Sequence, residues 1–402
     1  MKRSSVLTRS IIGYGVIFIP LLGCAMSFQE VSERAYGVSG EMITLGGKVE
    51  ATEYERASVV ASEPLSLEGT TRRIRADDPS ANGLEYGMMV GFTMKNPQVV
   101  SAQYRQYDIR SKVFQYELKR QQGSIQVALK KDWLLSQLSI ERVNILAEKK
   151  AFAEEAYRLS SKKYQSGRMS QMELLRQETE LHNATQEYAI AAMEAEHAQL
   201  RLQEMTMIKE EVVVDDLPFS FIHDEGQTQK RINEASSITL LRGREEELNA
   251  EIEVLRRSRV DRMSVGVGVT KEPIQNSVDM KVIIPLVWSE KNEKKIAALM
   301  SERSALIAQR NSAEGKLRVS VFGALEHLEE RENRIKELMA AEKSYENLFR
   351  MAHKGFEGGV VSQFEYLATK NAFYDARLRS VALKADYVEE MSAMEEKLGR
   401  IW

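Results

Sequence analysis

Tyr164-Gln165-Ser166-Gly167-Arg168-Met169-Ser170-Gln171-Met172-Glu173-Leu174-Leu175 returns later in the chain as Phe356-Glu357-Gly358-Gly359-Val360-Val361-Ser362-Gln363-Phe364-Glu365-Tyr366-Leu367. Glycine, serine, glutamine, glutamate and leucine coincide at 167/359, 170/362, 171/363, 173/365 and 175/367, a constant shift of 192 residues. The same shift pairs Met94 with Leu286, each at the end of an apolar run, with no gap between the two registers. Equal copies in one register predict two halves that stack side by side. Each copy reads as a turn between helices. Ser170 and Ser362 suit the N-cap, and Glu173 and Glu365, three residues on, complete the capping-box pattern. Gly167 and Gly359 fall where the preceding helix ends, at a position that favours a positive φ and therefore glycine.

Outward from these turns the elements are few and long. Between Pro97 and Lys163 there is no other proline and only one glycine, Gly123. Asn96-Pro97 makes a helix entrance, because the missing N–H of a first-turn proline costs nothing there. A helix of that length reaches roughly 100 Å at about 1.5 Å per residue. A returning helix is expected from Ser170 to Met207. The second half repeats the pattern with Glu290 to His353, a glycine-rich turn at 355–359, and Ser362 to Leu398. Ala184, Tyr188, Ala191, Ala195, Ala198 and Leu202 alternate in steps of four and three, a coiled-coil seam whose alanines let helices approach closely.

Before each long helix the period changes to two. Met263 to Thr270 alternates, a turn follows around 273–277, and Val278 to Val287 forms a second β-rich run closed by Trp288. In the first half Leu84 to Met94 takes the place of the second strand, with a partner expected within Leu65 to Arg75. Residues 25–83 otherwise read as irregular, with scattered glycines, so the first hairpin is expected to be truncated or differently formed. Four strands are too few for an independent sheet in water. The alternation suits a membrane barrel with small or polar residues inside and apolar ones facing lipid. Trp288 fits either an interfacial aromatic belt or a packed core.

Composition removes other classes. The net charge of −3 comes from 56 basic and 59 acidic residues, so there is no basic excess for nucleic acid. The histidines at 182, 197, 223, 327 and 353 are scattered, with no metal-ligand spacing. No phosphate loop or nucleophile motif is present, and the 18 methionines form no cluster. The expectation is a non-enzyme with no cofactor and no metal. Lys2, Arg3 and Arg9 precede an apolar stretch from Ile11 to Leu22, too short to span a bilayer as a mature helix, which is the layout of a secretory signal. Leu21-Leu22-Gly23-Cys24 resembles the bacterial lipobox, which implies cleavage after residue 23 and lipid attachment, palmitate included, at Cys24, the only cysteine. Ala25 in place of aspartate points, within that resemblance, to the outer membrane.

Taken in order, these features resemble the TolC-type outer-membrane efflux proteins. The resemblance spans nearly the whole mature chain. It rests on the duplicated Tyr/Phe-x-x-Gly-x-x-Ser-x-x-Glu turns, the paired strands before each long helix, Asn96-Pro97, and the run Ile284-Pro285-Leu286-Val287-Trp288-Ser289-Glu290-Lys291-Asn292. That run looks like the signature of the branch paired with heavy-metal and other RND pumps. The resemblance implies a mainly α fold with a small β part: a homotrimer whose helices form a periplasmic barrel, continued by a twelve-stranded outer-membrane β-barrel with four strands per chain. It divides the chain into a signal peptide (1–23), an N-terminal segment with a short helix and first strand (24–83), a first repeat (84–211), an equatorial segment (212–236) and a second repeat (237–402). It implies a passive duct supplied by a periplasmic adaptor and an inner-membrane pump of RND type. The tip turns at Gly167, Ser170, Gly359 and Ser362 become candidate adaptor contacts. Glu173 and Glu365 are either caps or acids lining the pore entrance. A type I secretion duct would share the fold, and a periplasmic coiled-coil lipoprotein would explain the helices and anchor but not the hairpins.

Overall fold

The computed structural model describes residues 26–75, 82–208, 225–272, 275–285 and 290–402. The first half comprises α1 (Phe28–Val38), α2 (Gly40–Val60), β1 (Ser66–Ile74), β2 (Gly83–Lys95), α3 (Pro97–Gln165) and α4 (Gln171–Thr206). The second comprises α5 (Glu225–Asn233), α6 (Ser236–Arg257), β3 (Arg262–Lys271), β4 (Asn276–Ile283), α7 (Glu290–Glu357) and α8 (Gln363–Leu398). The two halves correspond element by element. From α4 and α8 the shift is 192, as the tip turns require. From α2 to α6 and from β1 to β3 it is 196. The four-residue change sits in the hairpins: the β1–β2 connection runs over 75–82, whereas the β3–β4 connection needs only 272–275.

α3 is 69 residues long and α7 is 68, so each spans roughly 100 Å. Asn96 caps α3: its side chain accepts from the Gln98 N–H at 3.0 Å and donates to the Val260 carbonyl at 2.7 Å. That second bond ties the start of α3 to the segment entering β3. The first part of α3 is flanked by α2 and α6, through Arg56–Asp108 at 3.3 Å, Arg110–Glu247 at 3.0 Å and Arg244–Glu117 at 2.9 Å. Its second part is flanked by α4 and α8, and α7 runs alongside α6 and then α8. The handover lies near Gly123. A Cβ there would stand 1.8 Å from the Gly399 carbonyl oxygen, so only glycine lets the end of α8 pass against α3. At the same height Val31 of α1, Leu129 of α3, Leu202 of α4 and Ile208 form a small core. Four-helix packing is thus continuous along α3 and α7, while the flanking helices change at an equator.

The N-terminal region departs from the sequence expectation. Instead of an irregular segment with one short helix, it holds two helices of 11 and 21 residues. Glycines 37, 40, 46 and 47 obscure the pattern, and α2 buries only Met42, Thr52 and Val59, a sparse stripe set against α3. α1 starts with a full capping box between Ser27 and Glu30. The first hairpin is not truncated: β1 pairs with β2 over its whole length, from Ser66↔Gly91 to Ile74↔Gly83. α7 continues through Gly355 to Glu357, a turn beyond the expected end. β4 stops at Ile283 rather than Val287. Cys24, Trp288 and most of the expected equatorial segment 212–236 lie outside the described residues, apart from α5 and its surroundings.

Candidate functional site

The sheet and the tip turns stand at opposite ends of the long helices. The sheet is antiparallel in the order β1-β2-β3-β4, so β1 and β4 are both edges. Alternate residues of β2 divide its faces. Leu84, Tyr86, Met88, Val90, Phe92 and Met94 are all 43–60% exposed, and their neighbours are Glu85, Gly87, Met89, Gly91, Thr93 and Lys95. The register extends the apolar face through Leu67 of β1, Val265, Val267 and Val269 of β3, and Val278, Met280 and Val282 of β4. An exposed apolar surface of this extent marks an interaction or membrane face.

The other face is polar and concave. A Cβ on Gly87 would lie 2.4 Å from Thr70 Oγ1 and 3.0 Å from Thr270 Oγ1, and one on Gly266 would lie 2.7 Å from Met89 Sδ. Side chains from flanking strands therefore lean together over a glycine floor. Thr93 and Ser264 share a hydrogen bond at 3.0 Å, Thr270 donates to Asp279, and Lys281 reaches Glu68 at 3.1 Å although two strands lie between them. Apolar convex and polar concave faces are the division a lipid-embedded barrel wall requires. Among the described residues no helix is long and apolar enough to cross a membrane.

At the far end, Gly167 and Gly359 adopt φ of +70° and +75°. A Cβ at either would meet nothing within 4 Å, so the backbone conformation and not crowding selects glycine. Ser170 and Ser362 are both N-caps, accepting from the Glu173 and Glu365 N–H at 3.3 and 3.2 Å. The two glutamates then diverge. Glu173 completes the box: its carboxylate accepts from the Ser170 backbone and hydroxyl, both at 2.9 Å. The backbone bond first, and then the hydroxyl, hold its pKa below the usual carboxylate value. Glu365 makes no reciprocal bond, and its exposed carboxylate has no partner among the described residues. Gln363 donates to the Glu173 carbonyl at 3.3 Å, so the two tip turns are neighbours. Val360 and Phe364 are 86% and 77% exposed beside them.

Three features of the stem were not read from the sequence. An ion-pair ladder joins α3 to the antiparallel α8: Glu148–Arg377, Glu141–Lys384 at 3.1 Å and Lys130–Glu395 at 2.8 Å. Its rungs are separated by seven and then eleven residues on both helices, a matched spacing that could have revealed it. Lys370 of α8, fully buried, reaches Glu180 of α4 at 3.0 Å; burial drives its pKa down and Glu180 opposes the shift. Above the tip lies an aromatic column in which Phe356 stacks on Tyr366 at 4.7 Å and Phe349 on Phe373 at 5.3 Å. Lys163 sits 4.4 Å over the Phe356 ring. Its heptad signal is the seven-residue step from 349 to 356 and from 366 to 373. Among the described residues, no group of three histidine, cysteine, aspartate or glutamate side chains is placed to hold a metal ion.

No protein-family model matches the chain, and no curated protein sequence matches it. Solved structures do match. CusC, whose crystal structures are described in terms of folding and transmembrane channel formation, superposes with a TM-score of 0.74 at 13% identity, over 94% of this chain and 93% of its own. The CmeC outer membrane channel of Campylobacter jejuni gives 0.72 at 14% identity, over 98% and 94%. The open state of the Neisseria gonorrhoeae MtrE outer membrane channel gives 0.70 at 14%, over 93% and 89%. At such identities the likeness is one of fold. The chain has the fold of the TolC-type outer-membrane channels: a mainly helical body with a small antiparallel four-stranded sheet.

Proposed function

We propose that this chain is the outer-membrane channel component of a tripartite efflux system. Three copies would join β1 of one to β4 of the next, giving twelve strands in one barrel, and the paired helices would continue the duct into the periplasm. The observation that carries the reading is the sheet: an apolar convex face, a polar concave face and two unpaired edges. Open edges cannot persist in lipid, where backbone groups have no water to bond, so closure requires further copies. Transport would be passive and without catalysis, driven by an inner-membrane pump of RND type through a periplasmic adaptor. The adaptor would meet the tip turns at Gly167, Ser170, Gly359 and Ser362, beside exposed Val360 and Phe364. A lipid on Cys24 would add an anchor in the outer membrane.

The divergence of the two glutamates supports a division of labour at the entrance. Glu173 serves as a cap, which leaves Glu365 to form a ring of three carboxylates that favours cations. Planar-bilayer recording of the purified trimer tests both levels. Discrete conductance is expected, and Glu365→Gln should reduce cation preference while Glu173→Gln leaves it nearly unchanged. Absence of conductance from a trimer inserted in the bilayer, with the tip opened by adaptor, rejects the duct.

A further inference from the structure

We propose that Arg73, Arg75 and Lys271 form a cationic rim on the convex face that binds phosphate-bearing lipid headgroups of the outer leaflet. The inference rests on the reading of that face as lipid-facing, and adds to it a ligand and a site.

Charges are divided unequally between the two faces of the sheet. Glu68, Glu85 and Asp279 all belong to the concave face, together with Arg72, Lys95, Arg262 and Lys281. There Glu68 holds Lys281, Asp279 accepts from Thr270, Lys95 pairs with Glu63 at 3.3 Å and Arg262 with Asp261 at 3.2 Å, while Arg72 stands opposite Glu85 in register without an ion pair among the described residues. On the convex face of the described strands, the charged residues are Arg73 and Lys271, both cationic. Arg73 stands opposite Leu84, and Lys271 opposite Tyr86. Arg75 follows β1 and, with Arg73, Asn82 and Leu84, lines a surface hollow at the hairpin end. All three cations are exposed, and none has an ion-pair partner among the described residues. Glu272, beside Lys271 in sequence, is engaged by the Gln275 side chain at 3.1 Å, and Asp77 and Asp78, which follow Arg75 in the hairpin connection, lie outside the described residues.

Their height on the strands selects the occupant. From Met94 to Leu84 the convex face of β2 is apolar over ten residue steps, about 34 Å along the strand at about 3.4 Å per residue. At a tilt of about 40° this is about 26 Å along the membrane normal, close to the apolar band of outer-membrane barrels. The cations lie at the end of this band remote from the helices, at headgroup depth on the outer side, with Tyr86 beside them as an interfacial aromatic residue. A cation at that depth cannot face hydrocarbon, and the convex face of the described strands carries no acid. Phosphate on a lipid headgroup supplies the missing charge within reach of three side chains. Each such contact near a charged membrane surface contributes about 1 kcal/mol, or roughly a fivefold change in affinity.

The test is native mass spectrometry of the mature, detergent-extracted protein titrated with a bis-phosphorylated glycolipid (lipid A) and with its dephosphorylated form. The wild type should retain the phosphorylated lipid preferentially. Arg73→Gln, Arg75→Gln and Lys271→Gln combined should weaken that retention at least about tenfold, whereas Lys281→Gln on the concave face should leave it unchanged. Equal retention by the triple variant, or no preference for phosphate in the wild type, overturns the site. The same spectra report oligomer mass. A monomer therefore overturns the channel reading and this inference together, while a trimer without phosphate preference overturns only the inference.

Discussion

Gly359 shows how little a single position needs to decide. The site is spacious, with nothing near an added Cβ, yet φ is +75°. A side chain there costs about 1–2 kcal/mol through the backbone alone, and more if β-branched. Because the turn lies roughly 100 Å from the sheet by helix rise, Gly359→Val should assemble normally and fail to support efflux, with adaptor cross-linking at the tip reduced. Wild-type efflux with unchanged cross-linking would remove the tip from the docking surface. Glu173 and Glu365 illustrate the opposite case, in which identical local sequence ends in different states. Both follow a capping serine by three residues, but only Glu173 turns back to its cap. Its depressed pKa makes the sign definite: the cap's contribution is complete above the ordinary carboxylate pKa and is lost as pH falls through the lower folded value.

At the scale of elements, the α3–α8 seam separates costly from cheap ion pairs. Lys130 and Glu395 are 8% and 0% exposed in their side chains, and the Trp402 N–H also donates to Glu395 at 2.6 Å. Lys130→Met would strand a buried carboxylate and is expected to cost about 3–5 kcal/mol. Arg377→Ala, at a rung whose glutamate is half exposed, should cost about 1 kcal/mol or less. Chemical denaturation of the two variants should show this contrast, and equal losses would refute it. The tyrosines of α8 set an alkaline limit. Burial pushes Tyr366 and Tyr387 up to about 12. Their contribution is full below the unfolded value near 10 and is lost as pH rises through about 12. Helical circular dichroism should therefore fall in step with tyrosinate absorbance across that window, and Tyr366→Phe should flatten part of the fall. Lys370 runs the other way: the cost of burying its charge is relieved as pH approaches the ordinary lysine value.

For the whole molecule, the proposed trimer and the proposed anchor make separable demands. Cys24→Ser should abolish acylation, visible by mass spectrometry of the native N-terminus, and shift protein off the membrane or into misassembly. An unacylated N-terminus in the wild type would remove the lipoprotein assignment without touching the fold. The polar concave face and the edges of β1 and β4 would remain, and with them the requirement for closure by other copies.

Local chemistry was legible in the sequence because each signal is confined to a few adjacent residues. The positive-φ glycines at 167 and 359, the serine caps at 170 and 362, Asn96-Pro97 and the alternation in β2 and β3 all belong to this kind, and together they defined the long hairpins and the mainly α fold. The heptad of small residues in α4 was readable for the same reason, and Ala184, Ala191 and Ala198 are buried as that period requires. What stayed hidden depends on residues far apart. α2 was missed because its glycines weaken the helix signal and its few buried contacts come from α3. The full pairing of β1 depends on β2, since an exposed edge strand has almost no apolar pattern of its own. The α3–α8 ladder leaves a matched spacing on two helices, but which rungs pair, and which face of the sheet lacks acids, is set only when elements more than a hundred residues apart are brought side by side. Short-range backbone chemistry determined where the long helices and the tip turns begin; long-range packing alone decided which charges are buried, paired or left exposed on one face of the sheet.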